Sequence, residues 1–373
     1  MSKKLIRSEP ERPPTKLLSH LRRMVAYYPV SSDQLAVKKV LTYFKQQLPP
    51  QFRDTQIIRN ESVYSLVSST QSTIKPKVLL QAHVDVVPAP TRQRRMQQVG
   101  RRLYGRGVYD MLFAPAIYLQ LVNELVDLLH QLDIGIMFSG DEELGGFASV
   151  PRLLKEGWKP DICILPDAGD SFGSLSASAK GFLTVRMQVK GKAHHGSRPW
   201  DGDGAADKLI RFLNELLNQF DRSSKLNSTA CVTQLEAGQA INQAPAQAQA
   251  WVDIRYRDQA DYKRIIRLLD RLCRRYQGRI SAHKLGHDFK LDAKQPLVQS
   301  FLKMYREAAK NGVRLVHSHG SSDARFFAAK KIPVIMLRPA GGGTHADDEW
   351  VSVAEIEKVR RLLKQFLLTQ AKI

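Results

Sequence analysis

The sequence predicts an α/β protein, a mostly parallel sheet with helices on both faces, interrupted by a smaller α+β insert. Three observations predict it. Apolar, strand-like runs at about 78–87, 134–139 and 161–166 alternate with helical patterns at about 113–130 and 146–156, as a largely parallel sheet requires. Near residue 178 the pattern changes, and 181–189 alternates with period two like a half-buried antiparallel strand. After about residue 290 the α/β pattern returns.

In chain order, residues 1–14 are polar, contain Pro10, Pro13 and Pro14, and are expected to form a loose arm. Helices follow at about 15–27 and 33–47, the second behind the N-cap cluster Ser31-Ser32-Asp33. The main domain is expected over 15–177 and 290–373, and the insert over 178–289. Within the insert, strands at about 181–189, 229–236, 247–256 and 279–285 and helices at about 203–220 and 260–276 give the order strand-helix-strand, strand-helix-strand, which is ferredoxin-like. A helix near 295–310, strands at 313–317 and 333–337 and a final helix at 352–370 close the main domain.

A chain of 373 residues can bury a large core and reads as two domains rather than one. Its 57 basic against 36 acidic residues, net +21, invite a nucleic-acid or membrane-surface reading. The charges are spread, however. Over 260–276, Lys263, Arg264, Arg267, Arg271, Arg274 and Arg275 alternate with Ile265, Ile266, Leu268, Leu269 and Leu272, an amphipathic helix with a solvated basic face. No aromatic-interleaved basic motif or zinc-finger spacing occurs, so a nucleic-acid partner is not expected. No apolar run approaches the roughly 18 residues that span a membrane, and the first ten residues lack the apolar core of a signal peptide. Cys163, Cys231 and Cys273 have no paired spacing, which points to a reduced, cytoplasmic setting.

Five metal-type side chains recur in the order His83, Asp110, Glu143, Asp167 and His345. Each stands where an apolar strand or glycine-rich turn would end. The run Val78-Leu79-Leu80-Gln81-Ala82-His83 delivers an imidazole and, two residues on, Asp85. The run Ile134-Gly135-Ile136-Met137-Phe138-Ser139 leads into Asp141-Glu142-Glu143. Strands ending in ligands are what a metal centre at the carboxyl edge of an open α/β sheet requires. Singly, each motif has an ordinary reading: a satisfied His-Asp pair, acids at a helix start, an aspartate shaping a turn, a loop histidine. Together and in order they point to a two-metal hydrolase.

The order His83-Val84-Asp85-Val86-Val87-Pro88, then Gly105-Arg106-Gly107-Val108-Tyr109-Asp110-Met111, then Asp141-Glu142-Glu143, Asp167 and His345 resembles the di-zinc metallopeptidase family of aminoacylase, acetylornithine deacetylase, succinyl-diaminopimelate desuccinylase, carnosinase and bacterial glutamate carboxypeptidase. The resemblance runs from about residue 15 to the C-terminus. It implies a catalytic domain interrupted by a lid domain, with Asp110 bridging two Zn²⁺ ions. His83 and Asp167 would complete one site and Glu143 and His345 the other; Co²⁺ or Mn²⁺ also suit these donors. Asp85 is expected to accept the second imidazole proton of His83, and Glu142 to serve as general base.

In the insert, Lys190-Gly191-Lys192-Ala193-His194-His195-Gly196-Ser197-Arg198-Pro199 resembles the family's lid loop. The histidine of that loop reaches the substrate carbonyl of a neighbouring subunit, and His195 fits the place better than His194. Its role would be oxyanion stabilisation. Ala240-Ile241-Asn242-Gln243-Ala244-Pro245 and Asp253-Ile254-Arg255 resemble segments that hold a substrate carboxylate through an asparagine, Asn242, and an arginine, Arg255; a strand-edge salt bridge is an equal reading of Arg255. The chain departs from the family where Leu112-Phe113-Ala114 replaces Lys-Gly-Gly, and in the short, basic stretch before Gly100. The resemblance implies an amide or peptide hydrolase using a metal-activated water. Its substrate would be a dipeptide or N-acyl amino acid with a free carboxylate, and the chain a homodimer through 178–289. The alternative is a basic, metal-stabilised binding protein that contacts nucleic acid or an anionic partner without hydrolysis.

Overall fold

The computed structural model describes residues 14–221, 223–310 and 312–371; apart from Pro14, the arm expected at the N-terminus lies outside them. The described chain divides into two compact units. One comprises the residues up to Ala177, Leu291–Val316 and those from Ser322 onward. The other comprises Ser178–Lys290 and His317–Ser321.

The first unit is built on a six-stranded sheet in the order Gln56–Asn60, Val63–Ser69, Ile134–Ser139, Val78–His83, Ile162–Ile164, Val334–Ile335. The last four strands are parallel to one another, and the first two join antiparallel, so the sheet is mixed. Val78–His83 and Ile134–Ser139 are buried at every position. Strands covered on both faces read as unbroken apolar runs, which is why both were visible in the sequence. Their register runs from Val78↔Ile134 to His83↔Ser139, so the two strands end level at one edge. Ile162–Ile164 pairs parallel along the other side of Val78–His83 and exits through Leu165-Pro166 to Asp167.

The helix Phe113–Glu124 is buried along most of its length and packs against Thr15–Tyr27, Val78–His83 and Val353–Leu368. The helix expected to reach residue 130 stops at Glu124. The remainder tightens into a 3-10 stretch, Val126–Gln131, whose i→i+3 bonding preserves helix-like spacing. Asp33 caps Gln34–Gln47 by accepting from the Ala36 amide at 3.0 Å. The hairpin Gln56–Asn60/Val63–Ser69 is an addition to the sequence expectation; its turn carries Glu61 at φ 53 where glycine or asparagine would have signalled it. A smaller sheet, ordered Gly341–Gly342, Trp350–Ser352, Arg102–Tyr104, Gln97–Val99, brings the segment leading to Asp110 beside the segment holding His345.

The second unit has a four-stranded antiparallel sheet in the order Thr229–Ala237, Gln247–Tyr256, Gly181–Lys190, Gly278–Gly286. With helices Ala205–Leu217 and Gln259–Tyr276 this is the split βαβ order. Alternate residues Leu183, Val185, Met187 and Val189 meet Leu209, Phe212, Leu213 and Leu216 of the first helix and Ile265, Leu268, Leu269 and Leu272 of the second in one core. The opposite face of Gln259–Tyr276 leaves its arginines exposed, as its amphipathic pattern requires. No helix among the described residues is long and apolar enough to cross a membrane.

Candidate metal centre and active site

The level ends of the central strands decide where the polar side chains collect. His83 is the last residue of its strand, and Glu142 and Glu143 lie on the turn that follows Ile134–Ser139. Asp167 leaves Ile162–Ile164, Asp110 precedes the helix Phe113–Glu124, and His345 comes from the loop between Gly341–Gly342 and Trp350–Ser352.

Asp110 lies between two histidines. Its Oδ1 is 3.1 Å from His83 Nε2 and its Oδ2 is 3.5 Å from His345 Nε2. His83 Nε2 is also 3.9 Å from Asp167 Oδ1, and His345 Nε2 is 2.9 Å from Glu143 Oε2. By distance, His83 lies nearest Asp110 Oδ1 and Asp167, and His345 nearest Asp110 Oδ2 and Glu143. One ligand atom each from His83, Asp110 and Glu143 lies within 4.8 Å of the others, close enough to hold a metal ion. The peptide bond between Asp110 and Met111 is cis.

The crowding shows in the protonation. Burial would lower the His83 pKa, but its hydrogen bond to Asp110 and the charges of Asp110, Glu142 and Asp167 carry it well above the ordinary histidine value. His345 rises to about 10 through hydrogen bonds to Asp110 and Glu143. Burial and the neighbouring charge of Asp110 push Asp167 up to about 8. Burial acts against Asp110 ionising, yet hydrogen bonds from His345 and His83 hold it well below the usual carboxylate range. Two imidazoles and a set of carboxylates with no thiolate suit zinc, cobalt or manganese, and a divalent cation would displace the protons they now share.

The turn carrying the two glutamates is pinned from beneath. Asp85 accepts from Ser31 Oγ at 2.8 Å and from the amides of Glu142 and Glu143 at 3.1 Å each. This differs from the sequence expectation. The nearest partner of His83 Nδ1 is the main-chain oxygen of Asp85 at 3.0 Å, with the Asp85 carboxylate at 3.7 Å. Burial raises the Asp85 carboxyl to about 7. Asp141 accepts from Ser149 Oγ and the Ala148 amide and so shapes the same turn. Glu142 is left to face the cluster, its pKa raised well above normal by burial against the opposing charge of His83.

Sequence reading missed several supporting residues. Glu349 is fully buried and accepts from Arg106 Nη1 at 2.6 Å and from the amides of Gly107, Tyr109 and Asp110 at 3.1, 2.9 and 3.1 Å. Arg106 Nη2 also donates to the Ala346 carbonyl at 3.1 Å, tying the Asp110 loop to the His345 loop. Tyr109 packs so closely on Gly341 that a Cβ there would overlap its ring. Arg338 lies over that ring, 4.2 Å from its centroid, and donates Nε to the Gly169 carbonyl at 2.7 Å. Arg106 and Tyr109 stand within the run that leads to Asp110, but only an acid among acids, Asp347-Asp348-Glu349, and an arginine after an apolar run marked Glu349 and Arg338 in the sequence.

In the second unit, a two-stranded ribbon, His194–His195 with Gln243–Ala244, carries His195 and brings it beside Asn242 in the turn before Gln243. His195 pairs with Gln243, the Gly196 amide donates to the Asn242 carbonyl at 2.7 Å, and both His195 and Asn242 are exposed. His195 Nδ1 lies 2.8 Å from Ser197 Oγ. Arg255 is engaged differently from the carboxylate-holding expectation: its Nε and Nη2 lie 2.7 and 3.2 Å from the two oxygens of Asp253. That is the strand salt bridge.

Comparison with known proteins gives a family. The model of peptidase family M20/M25/M40 matches residues 79–369. A succinyl-diaminopimelate desuccinylase of Novosphingobium aromaticivorans is 26% identical over 313 residues, covering 77% of this chain and 80% of its own. Among solved structures, a tripeptidase from Staphylococcus aureus superposes with a TM-score of 0.76 at 17% identity, covering 97% of this chain and 99% of its own. Human carnosine dipeptidase 1 superposes with a TM-score of 0.67 at 14% identity, covering 96% of each chain. At those identities the two structures establish the shared fold.

Proposed function

Because this chain belongs to peptidase family M20/M25/M40, and is thereby a metal-dependent hydrolase of amide or peptide bonds, we propose that it works with two divalent cations, zinc in the first instance, one on each side of Asp110. His83 and Asp167 would hold one cation and Glu143 and His345 the other. The observation that carries this reading is the single carboxylate shared between His83 and His345. When bound, such a pair polarises the scissile carbonyl and acidifies the attacking water.

The chain's own residues supply the proton path. Glu142, on the turn beside Glu143 and facing the cluster, is suited as a carboxylate to accept a proton from the water and return it to the departing nitrogen. Asp85 holds it in place through the amides of Glu142 and Glu143. Water is the nucleophile, so no covalent acyl intermediate is needed.

The substrate in this reading is a dipeptide or an N-acyl amino acid with a free carboxylate, supported by the desuccinylase and the carnosine dipeptidase among the relatives. For the second unit, a lid role, pairing with another copy of the chain and substrate contacts from His195 and Asn242 rest on the family resemblance. A cytoplasmic setting belongs to the same proposal. The test is hydrolysis of a panel of dipeptides and N-acetyl and N-succinyl amino acids by the zinc-loaded protein and by Glu142→Gln. The substitution is expected to lower kcat by roughly 10²–10⁴-fold while leaving zinc content unchanged. A Glu142→Gln protein as active as the parent would overturn the assignment.

A further inference from the structure

Asp85 holds the turn of Glu142 and Glu143 at its start, through the amides of the two glutamates. The end of the same turn is held from 180 residues further along the chain. The Gly145 amide donates to the Glu142 carbonyl at 2.7 Å, and the Gly145 carbonyl accepts from Arg325 Nη2. One glycine thus stands between Glu142 and a guanidinium. Gly145 has φ 104, a conformation that glycine adopts without strain, and it brings no side chain of its own to fix the turn.

Arg325 has little freedom. It is buried, its Nη1 donates to the Ser322 carbonyl at 2.8 Å, and its guanidinium carbon lies 4.2 Å from the centroid of Phe326 and 5.6 Å from that of Phe147. The two rings meet edge to face at 6.0 Å, and Phe147 lies so near Gly145 that a Cβ there would overlap it. Aromatic planes set the orientation of a guanidinium while leaving its N–H edges to donate. A buried arginine that gives its two outer nitrogens to main-chain carbonyls of separate segments fixes the spacing of those segments.

The segment 322–325 grips the neighbourhood a second time through Asp323. Its Oδ2 accepts from Ser139 Oγ at 2.6 Å and from Gln81 Nε2 at 3.1 Å. Its Oδ1 lies against Gly146, where a Cβ would overlap it. Ser139 ends the strand before the glutamate turn, and Gln81 stands two residues before His83. The same short segment therefore touches the turn at both ends and the strand that delivers His83.

We propose that Arg325 is a positioning residue for Glu142, fixing the end of its turn so that the carboxylate keeps its place before the cluster. The role rests on the hydrolase reading above, in which Glu142 moves the proton. Misplacing such a group by about 1 Å costs on the order of a hundredfold in rate.

Two readouts test this, one of them independent of turnover. Steady-state kinetics on zinc-saturated protein would compare Arg325→Gln in the parent and in Glu142→Gln. In the parent, kcat is expected to fall roughly ten- to hundredfold with KM within about threefold. In Glu142→Gln, where the positioned carboxylate is already gone, the further loss should stay within about twofold. Arg325→Lys keeps the charge and loses the fork; it should retain part of kcat, and it serves for the same comparison if Arg325→Gln does not fold. Amide hydrogen exchange on the zinc-loaded protein should be faster across 142–146 in Arg325→Gln and unchanged along Val78–His83.

An equal fold-loss of kcat in both backgrounds would place the effect outside Glu142 and overturn the proposal. Exchange across 142–146 at the parent's rate would overturn it too. A parent protein that hydrolyses no panel member would count against the hydrolase reading; faster exchange confined to the turn would then still support Arg325 as its clamp, and unchanged exchange would overturn both.

Discussion

Glu349 touches none of the proposed reacting atoms, yet its replacement should be among the most damaging single changes in the catalytic unit. In Glu349→Gln one oxygen survives. If it keeps the position of Oε1, the amides of Tyr109 and Asp110 retain their acceptor. The new amide group then faces the Gly107 amide and Arg106 Nη1, donor against donor. Two hydrogen bonds are lost and the Arg106 guanidinium, itself buried, loses its counter-charge. Breaking a buried pair in this way costs about 3–5 kcal/mol, without the solvent screening that makes surface pairs weak. In a unit of this size that corresponds to roughly 6–20 °C in melting temperature. The Asp110 and His345 loops would also lose their shared tie, and loss of such supporting contacts lowers metal affinity by about 10–100-fold. Guanidinium denaturation read at the catalytic unit's transition, with zinc titration of the same protein, measures both. A destabilisation under about 1 kcal/mol with zinc affinity unchanged would refute the reasoning.

Metal-free protein should lose stability as pH rises. Asp167 moves from 3.8 to about 8 and His345 from 6.5 to about 10 on folding, so over that span the folded state binds more protons than the unfolded one, and stability falls with pH. A melting temperature of the metal-free protein that is higher at pH 8.5 than at about pH 6 would contradict this; added zinc should rescue stability more at the higher pH. Asp85→Asn removes one acceptor from a carboxylate serving Ser31, Glu142 and Glu143. It should cost about 1–3 kcal/mol and lower kcat more than it raises KM, as steady-state kinetics would show. Gly341→Ala drives a methyl into the Tyr109 ring and should destabilise by about 1–3 kcal/mol, checked by thermal melting.

The sequence revealed the centre best where the physics is local. Val78–His83 and Ile134–Ser139 are buried on both faces, so their apolar runs end abruptly, and the ligands stand just past those ends. The insert was legible for a similar reason: alternation in Gly181–Lys190 and the basic stripe of Gln259–Tyr276 each follow one buried face. What escaped depends on contacts distant in the chain. Glu349 meets Gly107 across 242 residues, and nothing local separates it from Asp347 and Asp348. Asp85 lies two residues from His83, which suggested an imidazole partner, but its carboxylate serves amides 57 and 58 residues away. The pairing of Arg255 with Asp253 is local, and the sequence left it level with the substrate role; the salt bridge decides only what that guanidinium touches in the folded chain.

The most direct measurement is anomalous diffraction at the zinc edge from crystals of the zinc-loaded protein. Two peaks are expected, flanking the Asp110 carboxylate at about 3.5–4 Å from each other, one beside His83 and Asp167 and the other beside Glu143 and His345. No peak at Asp110, or zinc bound only elsewhere on the chain, would contradict the two-metal centre and the mechanism built on it.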